Sequence, residues 1–526
     1  MSERWLLILF AVGVSYLALF YKIGNMAFIG ADEPRYARIS QEMNERHDYV
    51  TPTLEGRPWL EKPPLLFWMQ AGSFALLGVS EWSARLPVAL SAVVAALAIA
   101  FMIRNTAGAA AGFHAFLILA TAPLFFVYGR AGSTDMPLLA ALTLALVTGF
   151  EAARRSSIGW AVGAGAALGL AVLAKGPVAL FLFAGIFLVY GFLTQSFPWT
   201  WKQTVSGIAV FLVVAVPWYW LVWLENGANF VATFWINHHL ARFLTPIHHH
   251  SQPFWYFVPV LLVGFFPWVP FLFSAAGRLL RHRRAVCNDQ STEIFLWIWF
   301  LVPFVFFSLS NSKLAGYILP VLPALAALTA LEWDRLLQGE VIARRWIRGE
   351  IIGLFSLGLL FCFALVLGFF QTYGAPWIGL ALGGSLLLGL VGALYYYRAR
   401  RLRALFLALV AALTLFAALA YWLAAPVLDD FHSARNLSQL ARTMISTDRP
   451  LILYRYFHHT ALYYTDYRST SEALPDRESL RSYFQTYPQE KYLILTQKPG
   501  WQDLQEAFQV RLIRHQGNLY LLEVTP

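Results

Sequence analysis

The chain is 526 residues long, 58% hydrophobic and 16% aromatic, with only 13% of its residues charged. A soluble domain carries about 25% charged residues, so half the charge needed to face water is missing. That excludes a disordered protein, a nucleic-acid binder and an ordinary cytosolic enzyme. The net charge of +10, from 39 basic and 29 acidic residues, then becomes a question of placement, because an excess on one side of a membrane sets topology.

Apolar runs of spanning length, about 17–25 residues, are predicted at 5–23, 84–103, 109–127, 136–151, 158–174, 177–194, 203–223, 254–275, 293–309, 314–333, 351–370, 376–396 and 404–424. That is about thirteen transmembrane helices, with 136–151 the shortest. The apolar stretch at 64–79 is read as an interfacial helix. Alternate joints hold seventeen basic residues, among them Arg4, Arg104, Arg154, Arg155, Arg278 and Arg398. Short joints on the other side hold Arg130, Lys175 and Lys313. The positive-inside rule therefore places the N-terminus in the cytoplasm, and an odd number of spans puts everything after about 425 outside. The first run follows Arg4 but lacks a small-residue cleavage site, so it is expected to stay as an anchor. Cys287 and Cys362 fall on incompatible sides for a disulfide. Gly165 and Gly169 have the small-residue spacing of close helix packing.

The expected organisation is a membrane unit over 1–426, with a large first outer loop at 24–83, followed by an outer domain over 427–526. That tail holds 11 basic and 11 acidic residues, so the membrane unit carries the whole excess. Within it, strands are expected at 450–456 and 492–496, a helix at 476–485, and a hairpin of 509–514 with 518–524 around Gly517. The pattern predicts a small α/β domain.

Subtracting the cytoplasmic charges leaves a short set outside. The first loop carries Asp32 and Glu33 just before a helix expected to start at Pro34, then Arg35, Tyr36, Glu61 and Lys62 ahead of two prolines. Later outer joints carry Asp135, Lys175, Arg242, and Lys313 with Tyr317. An acid at a helix start has a capping explanation, and a boundary lysine can snorkel. Five joints converging on one face point instead to a site, because ionisable groups at a membrane boundary are costly. Cations bind a phosphate, and a carboxylate handles a nucleophile or a sugar hydroxyl, which together suit transfer of a group off a phosphate. His248 and His250, with Glu61, are candidate ligands for a divalent metal, although three consecutive histidines cannot all face one ion.

Asp32-Glu33-Pro34-Arg35-Tyr36, Glu61-Lys62-Pro63, Lys175-Gly176, the 237–243 segment, Pro253-Phe254-Trp255-Tyr256, Pro267-Trp268 and Phe306-Phe307-Ser308, then Lys313 to Tyr317, keep one order along 5–330. Together they resemble the lipid A aminoarabinose transferases and, more broadly, the protein O-mannosyltransferase-like membrane glycosyltransferases. The resemblance implies a C-type glycosyltransferase fold, a polyprenyl-phosphate sugar donor, and lipid A or another periplasmic acceptor. It implies a site on the periplasmic side of the bacterial inner membrane, with Asp32 and Asp135 as the central carboxylates. The competing class, a transporter of lipid or ions, predicts charged residues at mid-membrane; the sequence places Lys and Asp at the outer boundary.

Overall fold

The computed structural model describes residues 3–195, 198–241, 252–281, 292–339, 341–446 and 449–526. Each of the thirteen expected runs overlaps helix. Among the described residues nine helices are long and apolar enough to cross a membrane, or ten if a bent pair counts as one span. The expected thirteen divides for physical reasons. The stretches Trp5–Phe20, Ala109–Thr121 and Val178–Thr194 are apolar but shorter. The run expected at 254–275 is a pair, Phe257–Gly264 and Val269–Leu280, bent by 109°. The stretch expected to be short is a helix of 21 residues, Asp135–Arg155. The chain is a multi-pass membrane protein.

Local sequence sets where the helices begin. The helix Glu81–Ala107 starts at a capping box, in which the Ser80 hydroxyl accepts from the Ser83 N–H and the Ser83 hydroxyl accepts from the Ser80 N–H. Thr200 and Gln203 form the same device ahead of Trp201–Phe230. That helix runs past a break at Gly227 (φ +52°) into Val231–Ala241, so the joint expected after 223 is helical as far as Ala241. The glycine spacing serves packing: a Cβ at Gly165 would collide with the carbonyl of Gly207, and one at Gly169 would lie 2.7 Å from Val214. The helices Ile158–Lys175 and Trp201–Phe230 therefore cross backbone to backbone.

The first loop forms the helix Asp32–Arg46, a two-residue hairpin of β1 (Thr53–Leu54) and β2 (Arg57–Pro58), and the apolar helix Leu65–Leu77. The tail builds one sheet of β3 (Ile452–Leu453), β4 (Tyr492–Gln497), β5 (Gln509–Gln516) and β6 (Leu519–Thr525), in the order β3-β4-β6-β5. β3 pairs parallel to β4; β4 with β6 and β6 with β5 are antiparallel, with Ile494 opposite Leu522 and Val510 opposite Val524. The helix Ala425–His432 runs across residues 426 and 427 without a break. Helix His459–Tyr464 of the tail docks on the first loop, where Tyr464 joins a buried cluster with Ala27, Phe28, Ala37, Phe74 and Ala84. First loop and tail thus share one end of the molecule, as the charge parity requires.

Candidate active site

A cavity of about 1420 Å³ opens at that end. Its first-loop wall carries Asp32, Arg35, Tyr36, Glu61 and Lys62. Asp135, Lys175 and Tyr317 reach it from three later segments. Residues 32 to 317 of the chain thus converge on one space, as expected from the isolated charges.

The two adjacent acids have opposite fates. The first-loop helix starts at Asp32, two residues before Pro34, and its cap residue is Ala31 with no side-chain cap bond. The capping explanation for Asp32 therefore fails. Successive helical residues point about 100° apart, so of two acids that both border the cavity one is open and the other buried in the protein. The Asp32 side chain is 57% exposed and accepts from Arg35 Nη2 at 2.6 Å. Glu33 is buried at 7% exposure. Its Oε1 accepts from Arg85 Nε (2.9 Å) and the Gly132 N–H (2.6 Å), and its Oε2 from Arg85 Nη2 (2.7 Å) and the Ile29 N–H (2.9 Å). Four bonds use the lone-pair sites of a carboxylate, so Glu33, although it is among the residues lining the cavity, ties the first loop to the joint ahead of Asp135.

Asp135 lies in the first turn of its helix, where the cap residue is Thr134, again without a side-chain cap bond. It forms an ion pair with Lys175, the last residue of Ile158–Lys175, and accepts from the Ser133 hydroxyl at 3.2 Å. The Lys175 ammonium also stands 5.0 Å from the centre of the Tyr317 ring. Lys62 Nζ donates to the Glu61 carbonyl at 3.3 Å. Tyr36 is buried at 2% exposure against Trp59 and Phe67. Burial, and then the nearby Asp32 charge, push its phenol well above the ordinary range, so it stays protonated as a donor. The cavity lining also includes the apolar side chains of Val178, Phe181, Trp235, Phe306 and Phe307.

Residues 61–223 match the family described as dolichyl-phosphate-mannose-protein mannosyltransferase. The undecaprenyl phosphate-alpha-4-amino-4-deoxy-L-arabinose arabinosyl transferase of Pseudomonas aeruginosa (strain UCBPP-PA14) is 30% identical over 375 residues, 68% of this chain and 64% of that protein. A second such transferase, from Pseudomonas fluorescens (strain Pf0-1), is 31% identical over 386 residues, 68% of this chain and 65% of that one. The chain thus spans just under two thirds of the length of these relatives. Among solved structures, ArnT from Cupriavidus metallidurans bound to undecaprenyl phosphate superposes with a TM-score of 0.82 at 24% identity, covering 99% of this chain and 98% of that one. Its apo state gives 0.76 at 25% identity, covering 98% and 97%. The chain has the C-type glycosyltransferase fold of these structures.

Four further expected site residues need separate placement. Lys313 does not line the cavity: it is buried at 5% exposure, with its ammonium donating to the carbonyls of Gln252 (2.9 Å) and Ser310 (2.5 Å). It pins the 252 and 310 segments together. Arg242, His248 and His250 lie outside the described residues. Among the described residues no three of His, Cys, Asp and Glu gather as a metal site.

Arg85, which braces Glu33, was not singled out from the sequence. It is buried at 3% exposure near the start of Glu81–Ala107. All five of its donor N–H groups are used, two on Glu33 and three on the carbonyls of Ile23 (3.0 Å), Met26 (2.6 Å) and Ala27 (2.7 Å). The signal was present, because an arginine inside an apolar run marks a buried partner. Tyr128, also on the cavity wall, carried no such signal: a tyrosine near a span end reads as an interface anchor.

Proposed function

We propose that the chain transfers a sugar from a polyprenyl phosphate to an acceptor at the periplasmic face of the bacterial inner membrane. The donor assigned is 4-amino-4-deoxy-L-arabinose on undecaprenyl phosphate and the acceptor is lipid A. The observation that carries this reading is one cavity lined both by charged groups, Asp32, Lys62 and the Asp135–Lys175 pair, and by apolar ones, Phe181, Trp235, Phe306 and Phe307. Its chemistry matches an amphiphile with a charged head and an isoprenoid tail. The names of the relatives agree with that donor, and the basic excess in alternate joints supports the orientation. The working units are the membrane unit 1–426, with its loop 24–83, and a periplasmic domain 427–526.

In this mechanism the bond between the sugar C1 and the phosphate oxygen breaks, and its electron pair leaves with the lipid phosphate. Lys62, Lys175 and Arg35 offset the charge that develops there. The acceptor oxygen forms the new bond to C1. A lipid A phosphate is already anionic and needs no base, so Asp32 then grips the sugar and its amino group. A hydroxyl acceptor, on another glycan or a protein, has to lose its proton, and Asp32 takes it. The open carboxylate of Asp32 serves either acceptor.

Reconstitution of the purified protein in proteoliposomes with the donor and lipid A, read by mass spectrometry, tests the reading. An aminopentose on lipid A is the expected product. Glycosylation of protein or another glycan in place of lipid A moves the acceptor to a hydroxyl. Donor crossing the bilayer with no glycosylated product returns the chain to the transporter class.

A further inference from the structure

The segment between the first span and the first-loop helix, residues 21–31, has no regular secondary structure of its own. Its backbone polar groups must find partners elsewhere, since buried N–H and C=O groups are almost always paired. Part of that need is met inside the membrane unit. Arg85 takes the carbonyls of Ile23, Met26 and Ala27, and Glu33 takes the Ile29 N–H. The other partners come from the far end of the chain. The Ala27 N–H donates to Asp429 Oδ1 at 2.9 Å, the Phe28 N–H to the Tyr464 hydroxyl at 2.9 Å, and Arg435 Nη2 donates to the Asn25 carbonyl at 3.2 Å. These partners are themselves fixed. Tyr464 donates to Glu81 Oε1 at 2.7 Å, and Arg435 pairs with Asp429 at 2.6 Å and with Glu81 at 3.5 Å. The Phe28 ring, fully buried, packs edge-on against Tyr463 with centroids 5.0 Å apart.

We infer that the tail is part of the catalytic apparatus: Asp429, Arg435 and Tyr464 are positioning residues that hold the irregular segment leading into Asp32. This rests on the proposed transfer reaction. A purely adhesive contact would bring tail and membrane unit together anywhere on their shared surface. Here the tail's hydrogen bonds end on backbone groups four to seven residues before Asp32. Asp32 has one side-chain partner among the described residues, Arg35, itself on the same helix turn. Its position over the cavity is therefore set through its backbone, and a misplacement of about 1 Å is enough to cost about 100-fold in rate.

The test uses the full chain with two variants, Tyr464→Phe, which removes one hydroxyl and keeps the ring, and Asp429→Asn. Two readouts are taken: steady-state transfer from the polyprenyl-phosphate sugar, and amide hydrogen exchange by mass spectrometry. Both variants are expected to lose about tenfold or more in kcat. The KM for the donor should stay within about twofold, because Lys62 and Lys175 stand on other segments. Exchange should rise in 21–31 and stay unchanged in Pro376–Arg398. Arg442→Gln, which breaks an exposed ion pair elsewhere on the tail, should leave both readouts at wild type. Wild-type kcat in both variants overturns the inference, as does a kcat loss with exchange in 21–31 unaltered. If Tyr464→Phe unfolds the tail, Asp429→Asn alone decides. If the wild type itself transfers no sugar, the proposed function fails and so does this assignment of roles, whereas a rise in exchange still establishes the anchoring.

Discussion

Replacing Arg85 by methionine removes a guanidinium that makes five hydrogen bonds and leaves its volume filled. The partner carboxylate of Glu33 keeps two backbone N–H donors out of four bonds, and three carbonyls of residues 23–27 lose their donor. The pair is buried on both sides, with side chains 4% and 9% exposed, so the penalty is that of a buried charge stripped of its counter-ion, about 3–5 kcal/mol. At about 2–4 °C per kcal/mol, the purified protein should lose on the order of 10 °C in its thermal midpoint, measured by tryptophan fluorescence in detergent. Glu33→Gln strands the guanidinium and should cost a comparable amount. The combined Arg85→Met, Glu33→Gln protein has no stranded charge, so it should recover at least about 1–3 kcal/mol relative to the sum of the singles. Additive losses within about 0.5 kcal/mol would refute the reasoning, because the two groups would then not be acting as one unit.

Lys62→Met should lower kcat/KM for the lipid-phosphate donor by about 10- to 100-fold through loss of a charge-assisted contact. Lys313→Met should leave the donor KM unchanged and instead lower the thermal midpoint, since it strands two carbonyls. Phe306→Ala on the apolar wall should raise the KM for a full-length polyprenyl donor by about tenfold, and much less for a donor with a truncated tail. His459, on the docking helix, is held well below the ordinary histidine pKa of 6.5, to about 4, by burial and then by the positive charge of Arg35 and His458. Its neutral form is favoured in the folded state, so its contribution is complete above about pH 6.5 and is lost as the pH falls toward 4. The wild-type midpoint should therefore fall more steeply across that window than that of His459→Gln.

What could be read from the sequence follows the range of the forces involved. Spans and sidedness are written locally, in the length of apolar runs and in the placement of arginine. The helix register of 81–107 is likewise local, set by Ser80 and Ser83. The convergence of Asp32, Lys62, Asp135, Lys175 and Tyr317 on one cavity was accessible because a charge stranded at a membrane boundary needs a reason. Pairing was not accessible. Glu33 meets Arg85 across 52 residues and Ala27 meets Asp429 across 402, and no local periodicity encodes such partners. Lys313 shows the same limit: its outer position was legible, but whether its ammonium faced the cavity or two carbonyls depended on how the 252 and 310 segments fold together.

The adjacent acids show how the fold reconciles two demands on one site. A carboxylate that must meet a sugar or take a proton has to remain open, yet it must also be held within a fraction of an ångström of its working place. A single side chain cannot be both open and saturated with bonds. Placing Asp32 and Glu33 next to each other at the start of one helix separates the demands: about 100° of helical rotation sends Glu33 into a buried pocket where four donors fix it, and leaves Asp32 over the cavity. The rigidity bought at Glu33, together with the anchored backbone of residues 23–29, is passed to Asp32 through covalent geometry rather than through contacts with its carboxylate. On this view the order of the pair matters as much as its composition. Exchanging the two residues, Asp32→Glu with Glu33→Asp, conserves charge and residue types but shortens the buried arm by one methylene. The expected result is a protein that has lost the bidentate pairing with Arg85 and much of its activity together; a swapped protein with wild-type kcat would show that the division of labour is not what sets the site.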